Sequence, residues 1–515
     1  MCVAMTLGGS HYASAQTLSD SVRLRLRDRL AAGPVELQGF YERRSFQPVW
    51  SGDAGLLPRA TEVAAAVHDA AREGLRAGDY TTPALRFLLD PDSLAALDLG
   101  LTRVALAYAA DVANGRLDPA AVDTLWSASM RGLDPPSWLA AALDGDSLGA
   151  ALRQLAPPQP AYVALRAALA RYRALAAWGG WPRLPAGRAL APGDRGPEVA
   201  PLRARLMAAG DLAPDGLGGD EFDAAVEAAV RAFQHRHGLE PNGAVGPGTV
   251  VALNVPVQDR IRQIELNLER WRWLPRELGE RYIMVNSAAF ALEVVEDERR
   301  VMTLRAIVGR RDWPTPIVSG RVTVLQFAPV WNVPWAIAAK EVLPQVRSAP
   351  GYLERERIRV FRDSAGSMEI DPSTIDWSQV SESTFSFLLR QDPGGTNPLG
   401  GVKFAFANPF SVYIHDTPLQ APFRERARAF SHGCIRVERA EQLAEYVLRD
   451  PALWPPDSIR AAMAQPQERR VAVAEPVPVY VAYWTAWVGE DGSVEFRDDV
   501  YGWDARLAAA LARRR

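Results

Sequence analysis

Apolar positions along this chain change their period twice. From Leu18 to about Trp178 they recur at helical spacing in alanine- and leucine-rich text, broken by helix punctuation. One stretch takes Thr102 as N-cap, runs through Val104–Val112 and stops at Gly115. Phe40, Tyr41 and Trp50 read as core, and no acid pair, metal spacing or nucleophile stands out here. A Pro/Gly-rich joint at 178–193 follows. Next, Gly193-Asp-Arg-Gly196 opens a helix with Val199, Leu202 and Leu206 on one stripe. Phe222 to Gly238 carries a second helix through Ala225, Ala229, Phe233 and Gln234. After the turn at Asn242–Gly246, Thr249 caps a last short helix ending near Leu253.

From Leu266 the pattern turns to strands. Residues 281–286, 290–295, 301–308 and 321–327 are β-rich, and several of these runs alternate. Residues 335–397 interrupt them with charged helical runs and turn formers, as a lid or subdomain beside a site does. The Gln391–Gly401 stretch reads as a mobile return from it. Ala440, Leu443, Ala444 and Val447 then mark an amphipathic helix, and Val479–Val488 with Ser493–Arg497 flank an Asp491-Gly492 turn as a late strand pair. The chain is thus expected to be multidomain α+β: an α-helical scaffold domain at 16–178, a small three-helix domain at 190–255, and a mostly β domain at 256–515 with an insertion at about 335–397.

Composition narrows the function classes. At 515 residues, 48% hydrophobic and 23% charged, the chain is globular and too long for one core. A formal charge of -3 leaves no electrostatic footprint for nucleic acid. Arg23, Arg25, Arg27 and Arg29 read as a solvated helix face. No run of consecutive apolar residues reaches the roughly 18 that a membrane span needs. Residues 1–15 read as an export signal: 2–9 are mostly apolar or small, and Ala13-Ser-Ala15 before Gln16 is a small-x-small cleavage site. The apolar part is short and no Lys or Arg precedes it, which a start codon placed too far downstream would explain; the alternative is a frayed cytosolic N-terminus.

Only Cys2 and Cys434 are cysteines, so loss of the leader leaves one unpaired thiol in an exported chain. Taken as a strand, Phe410–His415 puts Phe410, Val412 and Ile414 toward the core and Ser411, Tyr413 and His415 on the other face. Cys434 follows Ser431-His432-Gly433, just ahead of a helix. An imidazole can convert a thiol to the nucleophilic thiolate, Gly433 lets the backbone approach a substrate, and the Cys434 amide can hold an oxyanion. That set suits acyl transfer through a thioester. Two other readings stay open on spacing alone: a buried inert cysteine, or His415, His432 and Cys434 as zinc ligands. No His-Glu-x-x-His or CxxC accompanies the last.

His415, a gap, and Ser431-His-Gly-Cys-Ile-Arg436 together resemble the signature of YkuD-type L,D-transpeptidases. Leu266–Pro275, Ile307–Arg310, Thr315-Pro316, Trp331–Pro334, Lys403-Phe404, Tyr480–Val488 and Val500–Gly502 resemble their large Gram-negative, YcbB-like branch. The order Gly-Asp-x-Gly, Phe-Gln, Gly-Leu, Asn-Gly-x-Val-Gly and Thr in the small module resembles peptidoglycan-binding domains, with a looser turn at 215–222. Ala328 stands where an asparagine is expected.

The resemblance implies a YkuD-type catalytic domain with Cys434 as nucleophile and His415 as base, its ring oriented by a backbone carbonyl around Asp416. Tyr413 and the amides of Gly433 and Cys434 become oxyanion donors, and Ser431, His432 and Arg436 shape the pocket. It implies 3→3 cross-linking between diaminopimelate residues of peptidoglycan tetrapeptide stems, donor and acceptor, without metal or organic cofactor. Carbapenems are expected to acylate the thiol, other cell-wall synthesis enzymes are expected partners, and the location is periplasmic. The alternatives are a carboxypeptidase, endopeptidase or wall-protein attachment enzyme on the same fold, or a non-catalytic wall-binding protein.

Overall fold

The computed structural model describes residues 17–514, apart from residue 32 and residues 86–88, 128–131, 186–188 and 214–218. The expected export signal and the first half of the 215–222 turn therefore lie outside the described residues. The fold is multidomain: a helical scaffold, a three-helix module and a β-rich domain.

Helix α1 (Pro91–Asn114) is the spine of the scaffold. It starts about three turns before Thr102, because Asp90 caps it by accepting the Ser93 amide and Leu94, Leu97 and Leu101 extend its apolar stripe. Thr102 is consequently not a cap. It is fully buried in mid-helix, and its hydroxyl meets Tyr41 Oη at 2.6 Å and accepts Trp50 Nε1 at 2.9 Å. Gly115 does end the helix. By length and composition α1 is apolar enough to cross a membrane, although no single apolar run is long enough. In this fold it is a core helix, with buried Asp98 and Asp111 bonded to Tyr41 and Tyr80.

The three-helix module has its own core around Val199, Leu202, Leu206, Val226 and Phe233. Its helices are Val199–Ala209, Ala224–Arg236 and Pro247–Leu253. The last starts after Gly246 rather than at Thr249, since Pro247 occupies its first position; buried Thr249 instead accepts Gln234 Nε2 at 3.1 Å. His235 is exposed whereas His237 is buried against Phe233, so the two diverge.

Strand character begins at Arg281, not at Leu266. Helix α2 (Val257–Arg272) comes between, because Ile264, Leu268 and Trp271 keep helical spacing and bury one face. Leu268 and Trp271 share a core with Tyr162 and Leu165 of the scaffold and with Trp484 and Phe496. Trp271 stacks on Trp484 with ring centroids 4.3 Å apart, and Arg270 pairs with Asp504 at 2.5 Å. Scaffold and β-rich domain are thereby joined through one hydrophobic interior.

The β-rich domain is built from β1 (Arg281–Asn286), β2 (Ala291–Glu296), β3 (Arg299–Gly309), β4 (Ile317–Phe327), β5 (Val402–Phe406), β6 (Ile414–His415), β7 (Ala429–Ser431), β8 (Ile435–Val437) and β9 (Arg469–Ala482). Pairing runs β5-β6-β8-β3-β2-β1-β9-β4, and β4 pairs back onto β5, closing the sheet on itself. Strand β7 lies alongside β3. Closure leaves this ring without edges, and its interior is filled by Val285, Leu292, Leu304, Leu325, Phe404 and Ile435. Helix α3 (Ala440–Leu448) buries Ala440, Leu443, Ala444 and Val447 against it. The late strand pair is divided. Val479–Ala482 belongs to β9, and only Ala486–Val488 pairs with Val494–Phe496, because Thr485 between them is tied to Asn267 and Asp504.

The insertion carries a separate core of Val333, Val342, Leu353, Val360 and Leu389. Its return is not loose. Asn397 is fully buried and donates to the carbonyls of Pro329 at 3.0 Å and Asp392 at 3.2 Å, so one side chain satisfies the turn's backbone.

Candidate active site

The expected strand at 410–415 is realised only at Ile414–His415. Asn408 Oδ1 accepts the amides of Phe410 and Val412, both at 3.1 Å, and folds the preceding residues into a loop with Ser411 at φ 54°. Ser411 is exposed there and takes no part in the shared face. Tyr413 and His415 still share it, with ring centroids 5.6 Å apart.

Strand pairing brings the chemistry together. In the β5–β6 register Lys403 lies opposite His415, so the two occupy one face, and Lys403 Nζ sits 4.0 Å from the centre of the Tyr413 ring. On the other side β6 and β8 run parallel, with His415 beside Arg436, and the Ile435 amide donates to the Tyr413 carbonyl at 3.0 Å. Cys434 stands at the entrance of β8, against Tyr413. It does not open a helix, as β8 intervenes before α3. No helix dipole therefore acts on the thiol; the positive field comes from Lys403 and Arg436.

His415 is only 3% exposed, and its Nδ1 donates to the Asp416 carbonyl at 2.6 Å. A carbonyl can only accept, so Nδ1 carries the hydrogen and Nε2 keeps its lone pair. Burial, reinforced by the Arg436 charge, pulls its pKa down to about 3, and the ring is neutral at ordinary pH. Burial pushes the Cys434 thiol up, opposed by hydrogen bonds from Tyr413 and by the charges of Lys403 and Arg436. At rest the site therefore holds a thiol and a neutral imidazole on neighbouring strands, with the cations of Lys403 and Arg436 acting on the sulfur. Burial also raises the Tyr413 phenol well above its usual value, which keeps it a proton-bearing donor. Arg436 Nε is buried without a protein acceptor among the described residues.

Ser431 braces the loop: its hydroxyl donates to the Cys434 carbonyl at 2.5 Å and accepts the Gly433 amide at 3.1 Å. The Gly433 amide is thus committed within the loop, contrary to the expected oxyanion role, because Ser431 reaches it first. The Tyr413 hydroxyl and the Cys434 amide remain as candidates. Gly433 has φ 106°, a left-handed conformation that favours glycine, and its carbonyl accepts Thr315 Oγ1 at 2.9 Å. Asp416 uses its carboxylate to accept the Gly401 amide at 2.8 Å, which fixes the strand end rather than the substrate.

His432 is engaged elsewhere. Its Nε2 meets Glu341 Oε1 at 2.6 Å, and Arg310 Nη2 donates to the same oxygen at 3.3 Å. Glu341 lies in the π-helical turn Ala338–Val342 of the insertion, so His432 ties the cysteine loop to the insertion. Among the described residues no group of three or more His, Cys, Asp or Glu side chains is placed to hold a metal ion. Sequence reading missed Lys403 and Glu341 as site residues. Lys403 was legible as the polar member of an alternating Val402-Lys403-Phe404 strand; Glu341 carried no local signal.

Three family models match the chain: a scaffold domain at residues 35–169, a domain described as peptidoglycan-binding at 195–253, and the L,D-transpeptidase catalytic domain, YkuD, at 280–479. A Haemophilus influenzae protein provisionally named an L,D-transpeptidase is 29% identical over 249 residues, which cover 48% of this chain and 49% of that one. The match thus spans about half the length of that relative. Among solved structures, an L,D-transpeptidase of Xylanimonas cellulosilytica is 17% identical, covers 58% of this chain and 98% of its own, and has a TM-score of 0.19. L,D-transpeptidase 3 of Mycobacterium tuberculosis, solved with a faropenem-derived adduct, is 14% identical with coverages of 39% and 60% and a TM-score of 0.19.

Proposed function

We propose that this protein is a peptidoglycan L,D-transpeptidase of the YcbB-like kind, acting in the periplasm and forming 3→3 cross-links through a thioester on Cys434. The observation that carries the reading is the Cys434 thiol set against Tyr413, Lys403 and Arg436, at the start of the strand that pairs with that of a buried histidine whose Nδ1 is held by a carbonyl. In the first step the Cys434 sulfur attacks the carbonyl between diaminopimelate and the terminal D-Ala. The thiol proton passes to Nε2 of His415, whose cation the Asp416 carbonyl holds in place, and then to the departing D-Ala amine. The Tyr413 hydroxyl donates to the oxyanion.

The side-chain amine of a second stem's diaminopimelate then attacks the thioester. Its proton returns through His415 to the sulfur, and the thiol is restored. The insertion, held over the loop by Glu341 and His432, keeps water from the acyl group. Carbapenems are expected to acylate the same sulfur, and no metal or organic cofactor enters these steps. The 190–255 module supplies wall binding, and the 16–178 scaffold a surface for other wall-synthesis enzymes.

The test is mass spectrometry of products from a disaccharide-tetrapeptide, with wild type beside Cys434→Ala. Dimers lacking one D-Ala, made by the wild type alone, are expected. Tripeptide monomers alone would assign a carboxypeptidase, and no product from either would leave a wall-binding protein.

A further inference from the structure

Away from the thiol, the strands that carry the motif frame a second concave site. It is a cavity of about 480 Å³ lined by Phe290, Thr303, Arg305, Arg428, Glu438 and Arg439. Three guanidinium groups face one carboxylate, and among the described residues none of the three forms an ion pair. Their hydrogen bonds go to backbone carbonyls instead: Arg428 Nη2 to Phe290 at 2.9 Å, Arg439 Nη2 to Thr303 at 2.9 Å, and Arg305 Nη1 to Phe423 at 3.3 Å. Backbone carbonyls fix the direction of these groups without neutralising them. Burial lowers the Arg428 pKa to about 10, the nearby Arg305 charge adds to the shift, and Glu438 opposes it. An anion in the cavity would relieve the repulsion between the two cations and take charge-assisted bonds.

The position of the cavity is as informative as its charge. Arg428 immediately precedes β7, which ends at Ser431, and Glu438 immediately follows β8, which begins after Cys434. At about 3.3 Å per residue, the cavity lies about 10–13 Å from the thiol along these strands. An extended peptide covers that distance in about three to four residues. The loop that bears Arg428 also touches the three-helix module, where Arg426 Nη1 donates to the Gly238 carbonyl at 3.1 Å.

We infer that this arginine-lined cavity is a carboxylate-binding subsite, which holds a free carboxylate of a peptidoglycan stem peptide about 10–13 Å from the bond exchanged at Cys434. The assignment rests on the proposed substrate class, but not on which reaction follows acylation.

The test is calorimetric binding to full-length Cys434→Ala protein, which removes turnover from the measurement. The probes are a disaccharide-tetrapeptide with free carboxylates and the same molecule with its carboxylates amidated. The acid is expected to bind about tenfold more tightly than the amide, the size of one charge-assisted contact. R305Q/R439Q should lower the acid to the amide's affinity and leave the amide unchanged, and R305K/R439K should restore most of the difference. Equal binding of acid and amide, equal weakening of both by R305Q/R439Q, or no binding of either probe would overturn the subsite. If the acid preference and its loss are found while the wild type forms no dimers, the transpeptidase reading fails and the subsite stands.

Discussion

Replacing Lys403 with methionine tests the electrostatics of the site most directly. The side chain keeps its length and apolar stem but loses the charge 4.0 Å above the Tyr413 ring, whose hydroxyl in turn contacts the thiol. For unit charges about 6 Å apart at an effective dielectric of about 20, Coulomb's law gives about 3 kcal/mol, the scale on which Lys403 favours the thiolate. Screening at a half-buried sulfur reduces this to about one to two pKa units, at about 1.4 kcal/mol each. The thiol pKa, already pushed up by burial, should therefore rise further in K403M.

Thiolate fraction below the pKa falls about tenfold per unit, while the more basic thiolate is about threefold more nucleophilic per unit. Alkylation of Cys434 by iodoacetamide at neutral pH should slow by about three- to tenfold. At alkaline pH the variant should become the faster of the two, also by about threefold or more. The assay is peptide-resolved mass spectrometry of Cys434 alkylation across a pH series, with thermal unfolding as the folding control. A crossing pair of profiles is the specific outcome. Profiles that differ by a constant factor at every pH, or not at all, would refute a field from Lys403.

Two further outcomes follow from the loop. Glu341→Gln removes the partner of His432 and Arg310. Burial works against ionisation of Glu341, but those two partners outweigh it and hold its pKa below the ordinary carboxylate value. Its contribution to docking the insertion is complete above the unperturbed glutamate pKa of about 4.3 and is lost as pH falls through the depressed value. Hydrogen exchange of residues 335–348, corrected for intrinsic rate, should rise below about pH 4 in the wild type and be fast and pH-independent in the variant. Gly433→Ala meets nothing nearer than the Pro314 carbonyl oxygen at 3.7 Å, so its cost is backbone strain at φ 106° alone. A loss of about 1–3 kcal/mol in denaturant unfolding is expected, together with slower Cys434 acylation; an unchanged midpoint would show that the loop adapts.

Much of this protein was readable without coordinates wherever one face of one element decides burial. The stripe Ala440, Leu443, Ala444 and Val447 and the stripe Val199, Leu202 and Leu206 are both buried as their spacing requires. The carbonyl of Asp416 on His415 was implied only by the family resemblance, and it is where that resemblance puts it. Reading failed where a residue's environment is set by partners far along the chain. Thr102 has the chemistry of a cap but is a hydrogen-bond hub for Tyr41 and Trp50. Residues 266–272 have strand-like neighbours but remain helical to bury Leu268 and Trp271 against the scaffold.

The active site divides along the same line. Residue types and their local order name the thiol, the imidazole, the phenol and the glycine, because each has a chemistry that few other side chains share. Their surroundings are matters of register and docking. Pairing of β5 with β6 brings Lys403 to His415, and parallel pairing of β6 with β8 brings Arg436 there too. Docking of the insertion gives His432 to Glu341. A shift of one residue in either pairing would turn Lys403 or Arg436 to the opposite face, so only long-range closure of the sheet decides which charges the sulfur meets.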